Sequence, residues 1–337
     1  MYQFTRFVAM RAVMAMLTLI IVSFIVFSLM EMVPGDCAER YLAFKNTQGS
    51  MISIADIEAE RIRLGLDKPF MVRWLVWIWH AFQGDFGESC ILRLNISQLL
   101  SDKFLISLGI ALAALVLAYL IALPVGIISA TSKSKVLNNT LRLVSYLGLA
   151  LPNFLLALMI MLFSTVVYGN SLTGLFSPQM RDAPWSWDKA MDFLGHAWLP
   201  VFILGWSATA FAIQTVRALM SDEVGKLYVT AAKARGISGW RLLRRYPARH
   251  ALGPIINSLG FDLNRIFNEL PVVALILTLT EAGSLLIEAL ARSNDQQLAG
   301  AIIFLLTGSI VALNFATDVL LAIVDPRVRH SIMGGGK

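Results

Sequence analysis

Asp262, Arg265 and Glu269 stand at i, i+3 and i+7 within 251–280, an otherwise apolar run. On an α-helix that spacing places an acid, a base and a second acid on one face. Ionisable groups inside a membrane are costly and face a cavity or one another. The trio therefore reads as the polar lining of a solute path, or else as an ion cluster that fastens the helix to a partner. Asn264 and Asn268 add polarity beside it, and Pro271 is placed to kink the helix. A second group is Cys37 with Cys90, the only cysteines, both within 31–103. A bridge forms between them if that segment meets an oxidising compartment; the alternative is two packed thiols. A third is the basic stretch YVTAAKARGISGWRLLRRYPARHALGP, 228–254, which has no Asp or Glu. Its chemistry is docking. Ala231 and Ala232 fall on a short helix that Gly236 ends in the left-handed conformation. A second short helix, 240–245, sets Leu242 and Leu243 against Arg241, Arg244 and Arg245, and Pro247 breaks the chain after it. Small side chains at the tip of such a knob let a partner approach closely. The bland alternative is a basic loop that only fixes topology and touches anionic lipid.

No nucleotide-binding or hydrolytic motif accompanies these groups. GxxxxGK[ST], HExxH and GxSxG are absent, and the terminal GGGK, 334–337, has no following Ser or Thr to complete a phosphate cradle. His80, His196, His250 and His330 are scattered, and none is assigned to a metal. The chain is expected to be no enzyme by itself and to bind no cofactor.

The elements that must position these residues are membrane helices. The 337 residues are 57% hydrophobic and 15% charged, well under the roughly 25% charged of a soluble domain. Six runs are long enough to span a bilayer, which takes about 20 helical residues: 12–30, 104–131, 143–168, 193–216, 251–280 and 298–324. Backbone groups in lipid must bond within their own segment, so each run is a helix. The fold class is all-α, a polytopic membrane protein with six transmembrane helices. Arg6 and Arg11 precede the first run as they would a secretory signal, but the run is long for one and no cleavage site follows, so it reads as a retained anchor. Basic residues concentrate in 1–11, 132–142, 217–250 and 325–337, acidic ones in the alternate segments. The positive-inside rule then places both termini and the knob in the cytoplasm. The formal net charge of +6 follows this topology, and nucleic acid is not an expected partner. The expected divisions are 1–30, tail and first helix; 31–103, external; 104–324, a five-helix core with the loop 217–254; and 325–337, a tail. Helices are predicted within 31–103 at 56–64 and 71–82, where Trp74, Trp77 and Trp79 serve as interfacial anchors or as a docking surface. Pro124 and Pro152 are expected to kink the second and third spans.

The knob resembles the EAA loop of permease subunits of bacterial ABC importers. Around it, LMEMVPGD (29–36), RLGLDKP (63–69), WIWHAFQGDFGES (77–89) and TDVLLAIVDPRVR (317–329) are similar, in the same order, to the dipeptide, oligopeptide and nickel branch of that family. The resemblance implies a MetI-like permease fold. It implies that Tyr228, Thr230, Ala231, Ala232, Lys233, Ala234, Arg235 and Gly236 carry the contact with the ATPase. It also implies a second homologous permease subunit, two ATP-binding-cassette ATPases holding ATP and Mg, and a periplasmic solute-binding protein, all at the bacterial inner membrane with lipid around the spans. Di- and oligopeptides are the first substrate expectation, oligosaccharides or nickel the alternative. Thr230 replaces the family's acidic residue, as in many peptide-type members. Pro247 and His250 depart from the pattern, and LTEAGSL (279–285) replaces its aromatic-Pro-Gly turn, so a different external loop is expected there. An ion-coupled secondary transporter is the reading of another class. Asp262, Glu269 and Asp318 supply intramembrane acids for it, but no internal repeat is visible.

Overall fold

The computed structural model describes residues 2–32, 34–47, 49, 53–169, 172–181, 183–279, 281–293 and 295–324, and the tail 325–337 lies outside them. Among the described residues the chain is helical throughout. The helices are α1 (Tyr2–Met32), α2 (Cys37–Thr47), α3 (Ile54–Arg63), α4 (Phe70–Phe82), α5 (Ile96–Thr131), α6 (Lys135–Ala150), α7 (Asn153–Tyr168), α8 (Trp187–Val224), α9 (Leu227–Ala234), α10 (Gly239–Arg245), α11 (Pro247–Ile276), α12 (Ala282–Ile287) and α13 (Gln296–Val324). A π-helical turn, Glu288–Arg292, follows α12. Of the helices in 31–103, α3 and α4 match the predicted positions, while α2 was not anticipated.

Four helices are individually long and apolar enough to cross a membrane: α1, α5, α8 and α13. The third expected span is not one helix. α6 and α7 pass as a pair but meet at a bend of 90°. The cause is Pro152, which lacks a donor and disfavours helical backbone in the residue before it. Leu151 and Pro152 are accordingly extended, with ψ of 110° and 141°. Pro124, by contrast, lies within a continuous α5. The remaining expected span corresponds to α11, whose 30 residues extend about 45 Å at 1.5 Å per residue.

The chain divides into two compact units. One comprises 1–11, 109–279 and 313–337; the other comprises 12–108 and 280–312. In the first, α8 packs on α6, α7 and α11. Small residues set the spacing, as in membrane helices generally. Ala111, Ala114, Ala118 and Ala122 form a fully buried stripe on α5. A Cβ on Gly126 would lie 2.7 Å from Val216, and one on Gly148 would lie 2.7 Å from the Ala210 Cβ, so both contacts require glycine. In the second unit, Cys37 and Cys90 are joined as a disulfide with their Cα atoms 5.4 Å apart. The residues flanking Cys90 are also held: buried Asp295 accepts from the Ser89 hydroxyl, from Ile91 N at 3.3 Å and from Leu298 N at 3.0 Å. Asp295 thus caps α13 while gripping the segment that carries the disulfide. Arg61 on α3 pairs with Asp36 and Glu39 at the start of α2. Within LTEAGSL, 281–285 is a helix start: buried Glu281 caps α12, accepting from Gly283 N, Ser284 N and the Ser107 hydroxyl.

Candidate functional site: a surface knob and a polar helix face

The knob is built as a small independent core. Val229 and Ala232 on α9 and Leu242 on α10 are buried together, with Tyr228, Ile237 and Tyr246 packed around them. Gly236 turns the chain between the helices at φ +80°, a conformation that side-chain-bearing residues rarely adopt. Its N–H bonds to Lys233 O at 2.9 Å and that of Ile237 to Ala232 O at 3.2 Å, which satisfies carbonyls at the end of α9. The Tyr228 hydroxyl donates to Glu223 at the end of α8, and its ring meets the His250 ring at 4.9 Å in α11. The knob is therefore fastened to the two long helices on either side of it.

The contact residues expected from sequence separate into two sets. Thr230, Ala231, Lys233, Ala234, Arg235 and Gly236 are exposed, whereas Ala232 is buried and Tyr228 half-buried. The last two hold the knob together and are not free for a partner. Two exposed apolar side chains were missed: Leu227, 87% exposed, and Trp240, 63% exposed. Each opens one of the short helices, and a large apolar residue at the head of a basic helix was the available signal.

The polar face of α11 is also divided. Asp262 is 1% exposed and accepts the Tyr119 hydroxyl from α5 at 2.6 Å, with Ser258 Oγ 2.7 Å from the same hydroxyl. Arg265 instead faces α8, its guanidinium 4.3 Å from the Phe211 ring centroid, a cation–π contact. Glu269 lies one turn further on and is half-buried. The three do not form an ion-pair chain: among the described residues no salt bridge joins Arg265 to either carboxylate. Asp262 Oδ1 and Glu269 Oε2 are both enclosed with no hydrogen-bond partner among the described residues, the kind of group that calls for an explanation in a folded protein. Asn153, just past the bend at Pro152, donates to Leu204 O and Ser207 Oγ of α8 and accepts from Ser207 N. Asn153, Ser207 and Tyr119 were not singled out from sequence. Polar residues in Ala- and Leu-rich helices were their only signal.

Several helices long and apolar enough to cross a membrane, with a surface knob between α8 and α11, mark a multi-pass membrane protein. Two family models place it. That of binding-protein-dependent transport system inner membrane components matches 122–330, and the N-terminal model for such components matches 4–92. The chain belongs to this family of bacterial inner-membrane proteins, the permease subunits of ABC importers. A protein of Brucella abortus provisionally named a peptide transport system permease is 26% identical over 97% of this chain and 99% of its own length. The dipeptide transport system permease DppB of Escherichia coli K12 is 25% identical over 96% of this chain and 99% of its own length. A chain of the inward-facing MetNI methionine ABC transporter matches with a TM-score of 0.53 at 16% identity, covering 68% of this chain and 97% of that one, and supports the fold.

Proposed function

We propose that this chain forms half of a translocation pore for di- and oligopeptides and receives the motion of separate ATPase subunits through 228–254. The knob carries the reading. Its buried Val229–Ala232–Leu242 core makes α9 and α10 one rigid body, and its exposed surface combines apolar Leu227 and Trp240 with small Ala231 and Ala234. Such a body transmits a push, because Tyr228 ties it to Glu223 and His250 at the ends of α8 and α11. The helix that receives the push, α11, carries Asp262, Arg265 and Glu269. Half-buried Glu269 and Arg265 offer passing contacts to the ammonium and carboxylate ends of a peptide, while enclosed Asp262 fixes the helix against Tyr119. The peptide names of the full-length relatives favour that substrate class.

The partners in this reading are a second homologous permease, two ATPases that hold ATP and Mg, and a solute-binding protein outside. Both termini and the knob lie in the cytoplasm. The test is gentle purification of the tagged full-length chain, with identification of what accompanies it, for wild type and Ala231→Trp. Wild type should bring an ATPase and a second permease, and the variant should lose the ATPase alone. Wild type arriving without an ATPase under several mild conditions would sink the proposal.

A further inference from the structure

The 13-residue α4, FMVRWLVWIWHAF, extends only about 20 Å at 1.5 Å per residue and cannot cross a membrane. Its contacts show how it lies within its own unit. Phe70 and Trp74 meet Phe24 of α1, Phe70 and Trp77 meet Phe27, and the Trp74 indole donates to Ser23 Oγ. A helix running alongside α1 would touch successive turns of it in order. Here the contacts do not march: Phe70 and Trp77, two turns apart on α4, both touch Phe27, while Trp74 between them touches Phe24 and Ser23. Trp77 also meets Phe304 of α13, where Phe82 and, from the segment after α4, Phe86 join it. So α4 crosses from one membrane helix to the other.

The depth of that crossing follows from helix rise. Phe27 lies three residues inside the end of the apolar run 12–30 and Phe304 six residues inside the start of the run 298–324, about 4.5 Å and 9 Å along the helices at 1.5 Å per residue. Interfacial helices bury their apolar faces about 5–10 Å into the boundary between headgroups and acyl chains. The face of α4 turned away from α1 and α13 is apolar: Met71, Val72, Leu75, Val76 and Trp79 are all exposed, Trp79 at 67%. The charged Arg73 turns to Glu31 and to Lys68 O instead. On α1, Ile21, Ile25 and Leu29 are likewise exposed.

We infer that α4 is an in-plane helix embedded in the leaflet nearest the Met32 end of α1, with its Met71–Val72–Leu75–Val76–Trp79 face covered by lipid acyl chains. Lipid is the occupant because α4 rests on Phe27 and Phe304 within the apolar runs of α1 and α13, and its outer face carries no charge. This assignment does not depend on what the chain transports. It makes α4 the strut that holds the disulfide-closed external segment at a fixed height above the bilayer.

The experiment is spin labelling of the full chain, with the subunits that accompany it, in vesicles of phosphatidylethanolamine and phosphatidylglycerol. Labels are placed by Trp79→Cys and Val72→Cys. Leu17→Cys in α1 serves as the inserted control and Glu58→Cys in α3 as the aqueous control; the wild-type chain, with its two cysteines paired, gives the background. Labels at 79 and 72 should collide with oxygen as the Leu17 label does and lose the broadening by a water-soluble nickel chelate seen at Glu58. Broadening by the chelate equal to that at Glu58 would put the face in water and overturn the inference. Protection from both oxygen and chelate would put a protein partner on it, and would overturn the inference as surely.

Discussion

Tyr119 donates its hydroxyl to Asp262 at 2.6 Å and so joins α5 to α11 across 143 positions of sequence. Asp262 has one further carboxylate oxygen enclosed without a partner among the described residues. Losing the Tyr119 donor would leave the buried carboxylate with still less compensation. Tyr119→Phe should therefore destabilise the protein by about 1–3 kcal/mol, the cost of an unsatisfied buried group. Thermal unfolding in detergent measures this. Adding Asp262→Asn should recover part of the loss, since a neutral amide is less costly to bury than a bare carboxylate. No recovery would mean that the hydroxyl acts through Ser258 instead.

Arg265 rests on Phe211 and makes no ion pair with its helix neighbours. If it meets the solute in transit, Arg265→Ala should abolish uptake while the subunits still assemble. Uptake assays alongside copurification distinguish this from a packing role, for which assembly would fail too.

Ala231 and Ala232 are adjacent, yet one is exposed and the other is 3% exposed in the knob core. Ala231→Trp should leave the thermal midpoint of the permease unchanged and remove the ATPase. Ala232→Trp should overpack the core and lower stability by about 1–3 kcal/mol. Equal effects of the two on both readouts would contradict the division of the knob into core and contact surface.

Cys37 and Cys90 should resist a thiol reagent under native conditions and react only after reduction, which a mass shift reads directly. Labelling of both cysteines without reductant would show that the external segment closes by other means. Asp295 is the second clamp on that segment, through Ser89 and Ile91. Asp295→Ala should speed proteolytic cleavage of the external region and lower stability by about 1–2 kcal/mol from the lost cap alone.

Much of this architecture is written locally. Charge-free runs show that the chain enters a membrane, because lipid tolerates few unpaired charges and no unpaired backbone. Gly236 marks the turn of the knob, because only its backbone freedom suits a left-handed cap between two short amphipathic helices. Within 31–103, α3 and α4 followed from the same local patterns, while α2 did not. What periodicity reports is which residues share a face, not what that face meets. Asp262 and Arg265 share a face of α11, but packing sends one to Tyr119 of α5 and the other to Phe211 of α8. Pro152 was visible as a proline, yet whether a membrane helix kinks or breaks there depends on how neighbouring helices satisfy the freed backbone. In this structure Asn153 bonds to α8 and the chain turns by 90°. Likewise three tryptophans in α4 look equivalent in sequence, while the tertiary structure buries Trp77 against Phe27 and Phe304 and leaves Trp79 outside. Those distinctions come from contacts between residues far apart in the chain, whose pairing is set only when the helices pack.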